Sequence, residues 1–206
     1  MNALNKLSEL FSEFPGIGPR QARRFVYFLL TRNPAYLAEL VRHIENIKKE
    51  VINCESCFRF YAKDSNVSNK CQICRDPKRD RAALAIVSYD ADLENIEKTK
   101  SFNGNYFVLG GTVPILEKEP EKKIRSKELL KTVEKYAKEN DLKEIILAIS
   151  FNSEGENTAN YVKDILSPLA EKYLIKIANL GRGLSTGTEL EYSDSETIKN
   201  ALKNRQ

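Results

Sequence analysis

The side chains with the clearest chemistry are four cysteines in two tight pairs, Cys54-x2-Cys57 and Cys71-x2-Cys74, separated by residues 58–70. A tetrahedral Zn²⁺ needs four soft or borderline ligands converging on one point, and a C-x2-C turn sets two thiolates about 4 Å apart. Two such turns complete the set and leave no open position for water, so the predicted site is structural, with one zinc per chain. The chain has no other cysteine and a single histidine, His43, so one closed site uses every thiol. The alternative is two disulfides in a secreted protein. The lack of a signal-peptide pattern ahead of the cysteines, and a length that needs no disulfide stapling, argue against it.

A second constellation is Phe14-Pro15-Gly16-Ile17-Gly18 between two amphipathic stretches. Gly16 and Gly18 permit a tight connection, and the first backbone N–H groups of the following helix are free to bind a phosphate oxygen. Arg20, Arg23 and Arg24 fall in the first turns of that helix, with Arg20 and Arg24 on one face. This is the pattern of a helix-hairpin-helix, and it predicts DNA contacts that carry charge but no base sequence. A plain helical hairpin whose glycines only satisfy a turn is the alternative. Arg59, Lys63, Lys70, Arg75, Lys78 and Arg79 lie in or beside the cysteine segment and invite a second DNA-binding reading. That segment has no helix placed between ligands as in major-groove fingers, so a structural joint is preferred.

Acidic residues offer a third chemistry. Glu154-Gly155-Glu156 follows a predicted strand and opens a helix, and Asp90 and Asp92 follow another. Together they are the candidates for a Mg²⁺ site at strand carboxyl ends. Acids complementing the positive end of a helix dipole explain the same residues without a metal. The glycine-rich stretch 181–188 lacks the lysine and spacing of a phosphate-binding P-loop, and no paired nucleophile is visible. His43 falls in a predicted helix, on its surface.

The elements that must position these groups follow from periodicity. Leu4, Leu7, Leu10, Phe11 and Phe14 predict a helix ended by Pro15; Pro19 starts a second, with Ala22, Phe25, Val26, Leu29 and Leu30 inward. A third runs over 34–49, with Leu37, Leu40, Val41, Ile44 and Ile47 inward. After Arg81, strands at 83–87, 106–109, 144–149 and 173–178 alternate with helices at 90–97, 126–138 and 154–166, which predicts right-handed crossovers and a mainly parallel sheet. Residues 116–123 read as a loop, 189–192 as a short strand and 193–202 as a terminal helix. The predicted class is α/β with an all-α N-terminal region, divided as 1–52 helical, 53–80 cysteine module, 81–180 α/β domain and 181–206 C-terminal segment. Hydrophobic content of 41% supports real cores, no apolar run is long enough to span a bilayer, and a net charge of +4 permits nucleic-acid binding without demanding it. A cytoplasmic location is expected.

In this order, the parts resemble the RecR family of bacterial recombination mediators over essentially the whole chain. The specific points are Phe14-Pro15-Gly16-Ile17-Gly18-Pro19-Arg20, the four cysteines with residues 74–80 (Cys-Arg-Asp-Pro-Lys-Arg-Asp), Tyr106-Phe107-Val108-Leu109-Gly110-Gly111, Glu154-Gly155-Glu156-Asn157-Thr158-Ala159 and Gly187-Thr188-Glu189-Leu190-Glu191-Tyr192. The resemblance implies a topoisomerase-primase (Toprim) type sheet and a protein without catalytic activity that helps load recombinase on single-stranded DNA gaps. It further implies a homotetrameric ring, with residues 181–206 as an oligomer contact, and RecO and RecF as partners. Arg20 and Arg24 become the implied DNA contacts, and Glu154 and Glu156 the implied partner-binding face. Two departures stand out. The chain reads Val87-Ser88-Tyr89-Asp90 where a glutamate usually follows the first strand, and Leu116-Glu117-Lys118-Glu119-Pro120 where a glycine-containing stretch is common. The first removes a principal metal ligand and leaves Asp90 or Asp92 as substitutes; the second puts loop-mediated partner contacts in question. A Mg²⁺-dependent Toprim nuclease or primase-like enzyme, or a scaffold that binds only proteins, are the competing readings.

Overall fold

A computed structural model describes residues 2–63, 68–139, 142–181, 191, 193 and 195–203. The chain divides into two compact units, Met1–Val51 and Ile52–Gln206.

The first unit holds helices α1 (Ala3–Ser12), α2 (Pro19–Leu30) and α3 (Pro34–Glu50). Asn2 and Asn33 cap α1 and α3, each accepting a backbone N–H on its side-chain oxygen, from Asn5 at 3.0 Å and from Tyr36 at 2.8 Å. α1 stops at Ser12, short of the expected stop at Pro15, because a proline disfavours helical backbone at the residue before it. Phe11 of α1 meets Phe25 of α2 edge to face at 6.0 Å, over the buried Ala22 and Val26. One expectation fails here. Val41, Ile44 and Ile47 of α3 do not face inward but are 52%, 61% and 57% exposed. Ala22 and Val26 are the only fully buried side chains described in this unit, so it has no interior for that stripe to enter.

The second unit begins with the cysteine segment, where strands β1 (Val51–Asn53) and β2 (Phe60–Ala62) pair and α4 (Gln72–Arg75) makes a single turn. Then follow β3 (Asp80–Val87), α5 (Asp90–Thr99), β4 (Gly104–Val108), α6 (Ser126–Glu139), β5 (Glu144–Ala148), α7 (Ser153–Tyr173), β6 (Lys176–Asn179) and α8 (Ser195–Lys203). The sheet order is β4-β3-β5-β6, all parallel, with Val87 opposite Val108 on one side and Ala148 on the other. The predicted fold class is the observed one. Strand side chains alternate between faces. Leu84, Ile86 and Phe107 join α6 and α7 residues such as Leu129, Val133, Val162 and Leu166 in one apolar layer. Ala85, Val87, Tyr106 and Val108 join Leu93 of α5 and Cys54, Cys57 and Cys71 in the other. The cysteine segment thus has no core of its own and shares that of the sheet. It also wraps strand β4: the Cys57 carbonyl accepts the Val108 N–H at 2.8 Å, and Phe58, at φ 61°, packs on Phe107 with ring centroids 5.2 Å apart.

Several boundaries move. α7 runs on to Tyr173 instead of ending near Leu166, passing through Pro168. Proline removes one helical hydrogen bond, yet Leu169, Ala170 and Tyr173 still pack on the core and hold the helix. Leu174, at φ 55°, ends it, and β6 starts at Lys176 instead of Tyr173. Loop 116–123 contains one turn of 3-10 helix at Pro120–Lys122. Most of the predicted strand at 189–192 and of the glycine-rich stretch 181–188 lies outside the described residues.

Candidate nucleic-acid interface and metal centre

The hairpin between α1 and α2 is built by two glycines in different roles. Gly16 takes φ 75°, where a side chain is strained, and lets the Ile17 N–H return to the Phe14 carbonyl at 3.0 Å. Gly18 is the N-cap of α2 and supplies no side-chain cap, while Pro19 has no N–H to offer. The amides of Arg20 and Gln21 therefore stand at the positive end of α2 without a side-chain partner. Arg20, Arg23 and Arg24 are exposed and line one groove of about 770 Å³ between α1 and α2. None of the three is ion-paired among the described residues. Glu9, across the groove, is paired with Lys6 at 3.6 Å. The arrangement presents cationic side chains and free amides to one anionic ligand surface.

The four cysteines converge: their sulfurs all lie within 4.8 Å of one another, and Cys57 Sγ is 3.7 Å from Cys71 Sγ. A tetrahedron with metal–sulfur bonds of about 2.3 Å has edges of about 3.8 Å, so the donor set fits one tetrahedral metal ion. The Cys71 N–H points at Cys54 Sγ at 3.3 Å, a contact that favours thiolate there. Hydrogen bonds from Cys57, then Cys71 and Cys74, hold the Cys54 thiol far below the usual range, while Cys54, Cys57 and Cys71 push Cys74 above it. Four thiols this close cannot all ionise on their own, and a bound cation is what would let them. Among the described residues this is the one such convergence of three or more His, Cys, Asp or Glu ligands.

The acidic candidates sit at the sheet's carboxyl edge. The chain leaves β3 toward β4 and then crosses back to β5, so the ends of β3 and β5 flank the topological switch point. Here Thr112 donates its hydroxyl to Glu154, and the Tyr89 phenol lies 3.4 Å from the same Thr112 oxygen. Asp92 accepts the Tyr89 N–H at 3.0 Å and Asp90 accepts the Phe60 N–H. The acids are thus each engaged locally. Ser88 is 1% exposed, with its hydroxyl unpartnered among the described residues. Glu154-Gly155-Glu156 opens α7, with Asn152 as its cap. His43 lies on the exposed surface of α3, 3.9 Å from Glu39.

Three residues have roles that the sequence did not assign to them. Tyr27 lines the arginine groove one turn along α2. Thr158, fully buried, accepts the Val113 N–H at 2.8 Å and donates to the Glu154 carbonyl at 2.7 Å, tying the loop after β4 to α7. Arg79 is only 10% exposed and binds Glu97 of α5 and the Gly104 carbonyl, at 3.1 and 3.3 Å from Nη1. The one available signal was spacing: Tyr27 follows Arg23 and Arg24 by four and three residues.

Hairpin, four-cysteine cluster and parallel sheet on one chain define a three-part architecture with a candidate nucleic-acid interface, and comparison with known proteins bears on the hairpin, the sheet and the C-terminal region. The Toprim domain family matches residues 82–178, the RecR helix-hairpin-helix residues 4–48 and the RecR C-terminal region residues 183–206. Proteins named recombination protein RecR are similar along nearly the full length. The one from Bifidobacterium longum subsp. infantis is 33% identical over 206 residues, 99% of this chain and 96% of its own. That of Tropheryma whipplei is 34% identical over 195 residues (94% and 91%), and that of Gloeothece citriformis 34% over 203 (98% and 95%). The chain belongs to the RecR family, whose name carries a role in recombination. Among the described residues no helix is long and apolar enough to cross a membrane.

Proposed function

We propose that this chain is a non-enzymatic mediator of recombinational DNA repair that binds DNA without sequence preference. The carrying observation is the groove in which unpaired Arg20, Arg23 and Arg24 stand beside the uncapped start of α2, with Gly16 and Gly18 shaping the approach. Phosphate is the ligand such a surface fits, and base edges are not. In this reading the protein acts with RecO and RecF in the cytoplasm to help load recombinase on single-stranded gaps. Glu154 and Glu156, at the switch-point crevice, would serve that protein face. The metal is zinc, one per chain, held by Cys54, Cys57, Cys71 and Cys74. It does no chemistry and fixes the fold, since four thiolates leave no open position. The apolar stripe of α3 supports assembly of copies into a ring, a tetramer in this reading, with residues 181–206 as a further contact. A ring would bring several arginine grooves to one channel and concentrate a modest charge.

The test is the salt dependence of binding to labelled DNA. With Arg20→Ala plus Arg24→Ala, affinity should fall and the slope of log K against log salt should flatten by about 2, since each duplex phosphate neutralised contributes about 0.9. An unchanged slope would refute the hairpin as the DNA site.

A further inference from the structure

We propose that Tyr27 is a base-stacking platform, so that the groove between α1 and α2 takes single-stranded DNA, with one unstacked base on the Tyr27 ring and flanking phosphates on Arg20, Arg23 and Arg24. This rests on the reading of the hairpin as a DNA site and adds the strand form it prefers. On a helix, residues three and four apart are neighbours, which sets Tyr27 directly beyond Arg24 and Arg23. All four side chains line the same groove. The other aromatic rings of α2 are committed elsewhere: Phe25 meets Phe11 at 6.0 Å, and Phe28 meets Tyr36 at 6.2 Å with the Arg32 guanidinium 3.9 Å above its ring. Tyr27 is 52% exposed and has no ring partner among the described residues. An exposed aromatic among unpaired cations is the combination that binds single strands, because every base has a π-face and stacking needs no particular sequence. Duplex bases are already stacked on one another and have no face to give. Duplex DNA therefore meets only the arginines, while a single strand meets the arginines and the ring.

The experiment is fluorescence anisotropy with the full chain and three probes: oligothymidylate, an abasic strand of equal length and charge, and a duplex. Tyr27→Leu should weaken oligothymidylate binding about tenfold and leave the abasic strand and the duplex within about twofold, the loss expected for one stacked base. Tyr27→Phe should bind like the unaltered protein. The unaltered protein should itself bind the abasic strand about tenfold more weakly than oligothymidylate, a comparison that holds even if a variant folds poorly. Equal binding of abasic and base-bearing strands by the unaltered protein, or an equal loss on all three probes with Tyr27→Leu, would overturn the proposal. Arg20→Ala plus Arg24→Ala that leaves every probe unaffected would instead overturn the hairpin reading itself.

Discussion

The hydroxyl of Thr112, in the loop after β4, is hydrogen-bonded to the carboxylate of Glu154 at the start of α7. That bond ties together the two sides of the switch-point crevice, and the nearby Tyr89 phenol extends the chain of polar groups to the end of β3. A divalent cation there would need several carboxylate oxygens turned toward one point. Instead Glu154 is turned to Thr112, Asp90 to the Phe60 amide and Asp92 to the Tyr89 amide. Incubation with Mg²⁺ or Mn²⁺ and labelled DNA should accordingly give no cleavage or synthesis, and Mg²⁺ should not raise the melting temperature. Cleavage abolished by Glu154→Ala would restore the enzymatic reading.

Gly155 separates the two glutamates under steric compulsion. A Cβ there would lie 2.0 Å from the Ser150 carbonyl oxygen and 2.9 Å from its carbon, both backbone atoms. Gly155→Ala should destabilise the second unit by about 1–3 kcal/mol, the usual cost of overpacking, seen as a lower urea midpoint. A variant as stable as the parent would mean that the turn relaxes freely.

Metal removal should be felt as loss of fold. Elemental analysis should find about one zinc per chain, the number one closed four-thiolate site takes. Chelation, or Cys71→Ser, should lower stability by several kcal/mol, because binding energy at such a site is folding energy. A metal-free chain with unchanged thermal unfolding would contradict the assignment.

Arg79 and Glu97 give an acid-dependent contribution to stability. Burial raises the Glu97 carboxyl, but the hydrogen bond and charge of Arg79, with Tyr106 and the Arg59 charge, together outweigh it, and its pKa ends below the ordinary value. A carboxylate depressed in the folded state stabilises above its unfolded pKa and loses that contribution as pH falls through the folded one. Arg79→Ala should therefore cost about 2 kcal/mol at neutral pH, typical of a hydrogen bond to a charged group. The gap to the parent should narrow in acid, below the ordinary glutamate range. Denaturation midpoints measured across pH test it; a gap independent of pH would assign the loss to packing alone.

The exposed stripe on α3 predicts a mass change. Ile44 and Ile47 are 61% and 57% exposed, so Ile44→Asp with Ile47→Asp should cost the isolated chain within about 0.5 kcal/mol per site. Where copies assemble through α3 as proposed, light scattering should show the particle falling to a smaller species. An unchanged mass would remove α3 from the oligomer interface.

How far the residues alone could be read depended on whether a signal was local. Two C-x2-C turns and a Gly16-x-Gly18 connection each carry their geometry in a few adjacent residues, and the structure brings together the cysteines so identified. Short apolar runs set between helical stretches gave the class of sheet, and the runs are continuous because both faces are covered, Leu84, Ile86 and Phe107 on one and Ala85, Val87 and Tyr106 on the other. Tertiary contacts were not legible in this way. The helix read over 154–166 runs on through Pro168 because Leu169, Ala170 and Tyr173 pack on the core beyond it. Val41, Ile44 and Ile47 have the spacing of an inward face, but periodicity cannot say whether an inside exists within one chain. Arg79 stands in a basic run that invites a DNA-binding reading, and only the fold brings Glu97 to it.

Strand β4 lies at one end of the sheet order, and its outward backbone would be open to any extended chain were it bare. The Cys57 carbonyl occupies one of those positions by accepting from Val108. With zinc held at the four cysteines as proposed, its removal would loosen a guard on a sticky edge as well as cost stability. Metal starvation or thiol oxidation should produce aggregates built on β4 sooner than soluble unfolded chains.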